Sequence, residues 1–271
     1  KKGFGSRMIK VLAIGDVFGR PGRNLCKKII PELKSKHKTD LIIINAENAS
    51  GGRGLSEKNY KEIMETGVDL ITLGDHMFDQ KSIKAIMDDS KNPIIRPANY
   101  PSSEMAGTGV WTKSVKGVEV NVICLQGRIF MREGTDNPFG AFDEIHEKLN
   151  PDSINLIEFH AEATSEKHAM FWYLDGRASA AWGTHTHVAT ADERVYPQGL
   201  GAIADLGMTG PVDSVIGVDC ESSIKRFTSG IYSRFKVSES ERVALNGALF
   251  EIDEKTKECI SVTRIREESV V

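Results

Sequence analysis

Apolar residues along this chain fall into short runs, broken at regular intervals by polar clusters. Residues 9–14 form a continuous apolar run closed by Gly15-Asp16, which reads as a buried strand. Pro21-Gly22-Arg23 then opens a helix to about Lys36, with Leu25, Ile29, Ile30 and Leu33 spaced to share one face. Residues 41–44 predict a second strand, and Ser56 is placed to cap a second helix whose buried side carries Ile63 and Met64. A third strand over 70–73 leads to a helix around 81–87. Three strand–helix units in succession require a largely parallel sheet with right-handed crossovers.

The pattern then changes. Residues 109–115 and 119–125 flank Lys116-Gly117-Val118 and predict an antiparallel hairpin. Residues 155–159 and 178–182 resume the strand–helix rhythm around a helix over 165–173. After Gly230, residues 232–237, 244–252 and 259–266 read as strands of an antiparallel sheet. No linker, repeat or low-complexity tract interrupts the chain, so residues 8–271 are expected to form one α/β domain with mixed sheets. Residues 1–7 read as an extension ahead of Met8.

Composition removes several function classes. With 35 basic and 38 acidic side chains in 271 residues, the net charge is −3, which argues against a general nucleic-acid or membrane-surface binder. An apolar content of 40% excludes intrinsic disorder, and no apolar run is long enough to span a bilayer. Cys26, Cys124, Cys220 and Cys259 are too scattered for a zinc knuckle or a thioredoxin-like motif, and they read as reduced thiols. The opening KKGFGSRM has no apolar h-region, so a cytoplasmic location is expected.

The chemistry gathers where the strands end. The first closes on Asp16, the second on Asn45-Ala46-Glu47-Asn48, and the third on Gly74-Asp75-His76. The later pair closes on Glu158-Phe159-His160 and Gly183-Thr184-His185-Thr186-His187. In an open α/β sheet the carboxyl ends of the strands line the ligand crevice. Each cluster alone is ordinary turn or loop chemistry, but five of them delivering carboxylate, amide and imidazole to one rim point to a metal site. The absence of thiolate suits manganese, iron or zinc. His185 and His187 would share a face on a strand, or reach adjacent metals from a tight turn. More than three or four ligands imply two metals, and a carboxylate such as Glu47 could bridge them at roughly 3.5–4 Å.

The ordered motifs GDVFGRPGR, NAENASGGRGL, GDHMFD, RPANYP, FHAEATSEK, GTHTHVATAD and DLGMTGP resemble the YmdB-type metallophosphoesterases, a bacterial branch of the calcineurin-like phosphoesterase superfamily. The resemblance runs from about Met8 to Ile265. It implies a four-layer α/β sandwich with two central mixed β-sheets, the calcineurin-like fold. It also implies a dinuclear iron or manganese centre that hydrolyses phosphodiesters, notably 2′,3′-cyclic nucleotides. Carried over by position, Asp16, Glu47, Asn48 and His187 would hold one metal. Glu47 would bridge to a second, held also by Asp75, His160 and His185, and His76 would be the catalytic histidine.

This chain departs from the family pattern twice. Asp75 replaces an expected asparagine, and Glu158 an expected aspartate. Glu158 faces the same side as His160 and is suited to orient a ligand imidazole. Asp75 lowers the formal charge of a two-metal centre from +2 to +1, so tighter metal binding and slower catalysis are expected. The expected reaction is in-line attack by a metal-activated hydroxide, with His76 protonating the leaving alkoxide. Arg20, Arg23 and Arg53 are candidate phosphate contacts, and Thr209 and Gly210 candidate rim residues. The partner is expected to be a small phosphodiester or cyclic nucleotide, with RNA ends and a homo-oligomer left open. A phosphomonoesterase and a non-catalytic metal-dependent regulator are the rival functions.

Overall fold

Two runs of alternating faces build the frame. The computed structural model describes residues 7–101, 104–131, 134–230 and 235–270. Strand β1 (Met8–Ile14) turns Leu12 and Ile14 to one side and Val11 and Ala13 to the other. Helix α1 (Gly19–His37) packs Leu25, Cys26, Ile29, Ile30 and Leu33 onto the first of these faces. Strand β2 (Leu41–Asn45) follows, then α2 (Glu57–Met64), capped by the Ser56 side chain accepting from the Asn59 N–H. Strand β3 (Leu70–Thr72), a 3₁₀ turn running into α3 (Lys84–Asp88), and β4 (Ile94–Ile95) complete the first pattern.

The second half holds the hairpin β5 (Val110–Val115) and β6 (Val118–Gln126), then α4 (Pro138–His146), β7 (Ile154–His160), α5 (Thr164–Leu174) and β8 (Ala180–Thr184). Short strands β9 (Arg194–Val195), β10 (Gly201–Ile203) and β11 (Gly210–Pro211) lead to α6 (Cys220–Ser229). The long pair β12 (Arg242–Asp253) and β13 (Cys259–Val270) ends the described chain.

One sheet runs β11-β12-β1-β2-β3-β4, with β13 also paired to β12, and the other runs β5-β6-β7-β8-β10-β9. Three apolar clusters separate four layers. The outer face of the first sheet packs against α1 and α2. The two sheets meet through residues such as Val11, Ile43, Val122, Leu156 and Trp182. Beyond the second sheet, Phe142 of α4 and Met170, Phe171 and Leu174 of α5 pack on Ile157 and Phe159. This is the four-layer sandwich with two mixed sheets.

The parallel registers decide where the chemistry lies. β1 pairs β2 with Ile14 opposite Ile44, and β2 pairs β3 with Asn45 opposite Thr72. In the other sheet His160 stands opposite Thr184 and Gln126. Aligned parallel strands finish on the same edge, so the polar clusters after β1, β2, β3, β7 and β8 emerge together.

Three expectations change. The strand expected over 232–237 lies outside the described residues at 232–234, and its remainder is a loop in which Val237 forms an isolated bridge to Val218. The strands over 244–252 and 259–266 do not form a sheet of their own. β12 pairs antiparallel with β1 from Gly247 to Asp253 and with β13 on its other side, which makes both strands part of the first sheet. The helix over 81–87 starts as a 3₁₀ turn at Lys81–Ile83. Of the extension expected over 1–7, all but Arg7 lies outside the described residues. All four cysteines are unbridged, and among the described residues no helix is long and apolar enough to cross a membrane.

Candidate metal centre

Glu47, Asp75, His160 and His185 converge so that one ligand atom from each lies within 4.8 Å of the others. His160 Nε2 is 3.0 Å from Glu47 Oε1 and 3.1 Å from Asp75 Oδ1. His185 Nδ1 is 3.1 Å from His160 Nε2 and 3.4 Å from Asp75 Oδ1. Gly74 makes this approach possible, because a Cβ there would run into His160 Nε2 and Glu47 Oε2. The four groups come from the ends of β2, β3, β7 and β8, as the sheet registers require.

A second group lies beside it. His187 Nε2 is 3.2 Å from Asn48 Oδ1, and Asp16 Oδ2 accepts from the His185 backbone N–H at 3.3 Å. Asp16 is fully buried, and its Oδ1 has no hydrogen-bond partner. An orphaned carboxylate oxygen in a dry interior costs several kcal/mol unless a cation or proton meets it (about 1–3 kcal/mol for a neutral group, more for a charge). Together with the oxygen- and nitrogen-only donor set, it fits a divalent cation.

Charge distribution agrees with that fit. Burial, and then the neighbouring Asp205 carboxylate, push the Asp16 carboxyl up to about 8. Burial alone would lower the His160 imidazole, yet the Glu47 and Asp75 carboxylates hold it well above the usual histidine range. For Glu47 and Asp75 burial works upward, but His160 outweighs it, aided at Asp75 by the hydrogen bond from His185; both carboxyls fall below their ordinary range. Protons held on Asp16 and on the His160 imidazole occupy the electrostatic role that a cation would take.

The backbone of the histidine loop is unusual. His185 and His187 have φ of 99° and 66°, in the left-handed region. Such residues cost on the order of 1–3 kcal/mol each and persist where surrounding contacts over-determine them. His76 lies on the rim, its backbone N–H donating to Glu47 Oε2 at 2.9 Å. Its Nδ1 is 3.0 Å from Asp79 Oδ2, which also meets Arg53 Nε at 3.0 Å.

Other candidates are placed as follows. Glu158 is buried beneath His160 and accepts from Asn45 Nδ2, Thr72 Oγ1, Trp182 Nε1 and Thr184 Oγ1 at 2.6–3.1 Å. Arg20 and Arg23 line a cavity of about 760 Å³ with Asn24, Ser50 and Asn59. Arg23 is engaged by Glu62 at 2.9 Å and by the Ala49 carbonyl, whereas Arg20 is exposed. Thr209 is buried, donating its backbone N–H to the Asp16 carbonyl at 2.8 Å, and Gly210 lines a small cavity beside His187. The residue-by-residue reading did not single out Asp79, Glu162, Thr184, Lys167 or Asp205. Asp79 stands three residues after His76, and Glu162 reaches His185 Nε2 at 3.2 Å from two residues past His160. Lys167 and Asp205 sit inside the motifs FHAEATSEK and DLGMTGP, and membership of those motifs is the one signal the sequence offers for them.

Two facing mixed sheets whose carboxyl rims pool buried carboxylates and imidazoles define the chain as a hydrolase of the metallophosphoesterase class. Its fold is close to a crystal structure described as a novel phosphatase from Mycoplasma pneumoniae, with TM-score 0.92, 38% identity, 98% of this chain and 95% of that one covered. It is similarly close to the crystal structure of a hypothetical protein from Thermus thermophilus, with TM-score 0.90, 37% identity, and 96% and 100% covered.

The chain belongs to the YmdB-like protein family, whose model matches residues 12–265. A curated relative from Bacillus subtilis (strain 168), named 2′,3′-cyclic-nucleotide 2′-phosphodiesterase, is 46% identical over 258 residues, covering 95% of this chain and 96% of its own.

Proposed function

We propose that this chain hydrolyses cyclic nucleotides, with 2′,3′-cyclic nucleotides preferred, at a centre of two divalent metal ions. Asp16, Glu47, Asn48 and His187 would hold one ion, and Glu47, Asp75, His160 and His185 the other. The observation that carries this reading is the buried, unpartnered Asp16 oxygen beside a four-residue cluster of carboxylates and imidazoles. The activity named for the Bacillus subtilis relative supports the choice of substrate. Iron or manganese suits these donors best, and zinc is compatible with them.

Bound divalent ions supply Lewis-acid polarisation of a phosphoryl group and lower the pKa of water. The chain's own residues do the rest. His76 delivers a proton to the ribose oxygen as its bond to phosphorus breaks, so the leaving group departs as an alcohol. Asp79 accepts from Nδ1 of that ring, which orients it and leaves Nε2 as the atom facing the reaction. Arg53 holds Asp79 in turn. Arg23 is committed to Glu62 and Arg53 to Asp79, which leaves Arg20, exposed on the first turn of α1, as the arginine to meet a substrate phosphate. Residues 8–271 act as one domain in this reading, in the cytoplasm of a bacterium.

The deciding experiment is turnover of a substrate panel by the metal-depleted chain with manganese or iron added back. The reading expects 2′,3′-cyclic nucleotides to be hydrolysed fastest, ahead of 3′,5′-cyclic nucleotides, bis-p-nitrophenyl phosphate and monoesters. Monoesters turned over well ahead of diesters would make it a phosphomonoesterase. Nucleotide binding without hydrolysis would make it a regulator.

A further inference from the structure

The loop that carries the last two histidines is held from beneath by an ion pair that the proposed reaction does not use. Lys167 on α5 and Asp205, just past β10, are both buried, and Lys167 Nζ meets Asp205 Oδ2 at 2.7 Å. Lys167 Nζ also donates to the Thr184 carbonyl at 3.0 Å. Asp205 Oδ2 accepts from the Thr186 backbone N–H at 3.2 Å and from Thr186 Oγ1 at 2.8 Å. Asp205 Oδ1 accepts from the Gly207 N–H at 2.8 Å, and the Met208 N–H donates to the His187 carbonyl at 3.2 Å.

Residues 184 and 186 are therefore pinned on either side of His185. Between these anchors His185 and His187 take their left-handed φ values. On an extended backbone, residues two apart would point to one face. Here they diverge. His185 Nδ1 lies 3.1 Å from His160 Nε2 in the first cluster, and His187 Nε2 lies 3.2 Å from Asn48 Oδ1 in the second. Asp205 is also close enough to Asp16 for the two carboxylates to repel, and Lys167 neutralises that charge. The pair can thus hold the loop without adding net charge to the centre.

We propose that the Lys167–Asp205 pair is a positioning device that divides His185 and His187 between two cation positions. This rests on the two-ion reading of the site. Without the pair, the loop relaxes toward ordinary backbone angles, and the two imidazoles no longer serve separate ions.

The test is Mn²⁺ titrated into the metal-free chain, followed by calorimetry and by electron paramagnetic resonance. Two variants are compared with the unaltered protein. The double variant K167M/D205N removes the pair as a neutral unit, so no lone charge is left buried. T186V leaves the ion pair in place and removes the hydroxyl donor to Asp205, together with that hydroxyl's longer contacts to the Val188 backbone. The unaltered chain is expected to bind two Mn²⁺ with the spectrum of an exchange-coupled pair. The double variant is expected to hold its second ion about 10–100-fold more weakly and to give the spectrum of an isolated ion. T186V is expected to weaken the second ion about 3–10-fold. A merely structural pair would lower the unfolding temperature of the metal-free chain and leave stoichiometry and coupling intact, which would overturn the proposal alone. If the double variant does not fold, T186V decides, and an unchanged second-ion affinity overturns it. A single Mn²⁺ bound by the unaltered chain would overturn the two-ion reading and this inference with it.

Discussion

Glu158 and His160, two residues apart on β7, are joined through the hydroxyl of Thr184. Thr184 Oγ1 donates to Glu158 Oε1 at 3.1 Å and lies 2.9 Å from His160 Nδ1. With its one proton committed to the carboxylate, the hydroxyl can only accept from His160 Nδ1–H, which turns Nε2 toward Glu47 and Asp75. In the metal-free chain Nε2 carries a second hydrogen that bonds these carboxylates, and it becomes a ligand atom once that proton leaves. Glu158 Oε1 also meets Asn45 at 2.7 Å, and Oε2 meets Thr72 at 2.6 Å. One carboxylate on the second sheet therefore ties down two strands of the first, directly under the centre.

Replacing Glu158 should loosen both sheet pairing and metal. Glu158→Gln keeps the shape but turns an amide donor toward two of the four donors that the carboxylate now satisfies. Each buried group left unpaired costs about 1–3 kcal/mol. The expected outcome is a lower unfolding temperature together with Mn²⁺ affinity reduced by about 10–100-fold, read by calorimetry. Glu158→Asp retains the charge and should fall between the two. Unchanged metal affinity in Glu158→Gln would mean that Thr184 alone orients His160.

His76 should separate catalysis from metal binding. It touches the cluster only through its backbone N–H to Glu47, while its ring is held by Asp79. His76→Ala or His76→Gln should keep metal content and lose about 10²–10⁴-fold in kcat. Asp79→Asn keeps a hydrogen-bond partner but no charge, and a smaller loss in kcat with little change in metal content is expected. Full turnover by His76→Ala would remove the ring from the reaction.

The rim was legible because its residues follow strands whose apolar runs are unambiguous. Residues 9–14, 41–44 and 70–73 became β1, β2 and β3 with little change, so Asp16, Glu47, Asn48 and Asp75 fell where parallel strands must end. Helix α6 left no such trace. It turns Ile224 and Phe227 outward and buries Ser223, so its apolar period points away from any core. β9, β10 and β11 are two or three residues long and are defined by their partners rather than by any local pattern. The pairing of β12 with β1 joins opposite ends of the chain, which no local period can reveal. The same holds for Lys167 and Asp205, distant in sequence and joined only by the fold.

Asp75 should trade speed for grip. Its carboxylate lies within 3.1 Å of His160 and 3.4 Å of His185, and it stays ionised because those imidazoles outweigh its burial. Asp75→Asn removes one negative charge from the centre while keeping an oxygen for a cation. The variant should bind Mn²⁺ more weakly and turn over a cyclic nucleotide faster at saturating metal, since a more positive centre attracts phosphate and acidifies water more strongly. Calorimetry and kcat measured together check this. A variant with unaltered affinity and no gain in kcat would sink the idea.

The metal-free chain should lose stability as pH rises. Asp16 is raised from 3.8 to about 8 in the folded state, chiefly by burial. Between those values the folded protein binds a proton that the unfolded chain has released, so the slope of stability with pH is negative. The stabilising contribution is complete below pH 3.8 and is lost by about pH 8. Glu158, raised by burial, and His160, raised by Glu47 and Asp75 against its own burial, act in the same direction over their own ranges. Glu47 and Asp75 are lowered, so their contributions change only below the ordinary carboxylate range and do not oppose the trend. His187 and His37, lowered chiefly by burial, work against this trend below their ordinary value of 6.5. Urea unfolding of the chelator-treated protein should therefore show its midpoint falling most clearly from about pH 6.5 to about pH 8. Asp16→Asn should flatten that slope, and saturating Mn²⁺ should reverse it in the unaltered chain, because a cation that displaces the proton binds more tightly as pH rises. A midpoint independent of pH in the metal-free protein would show that the Asp16 carboxylate finds another partner in solution.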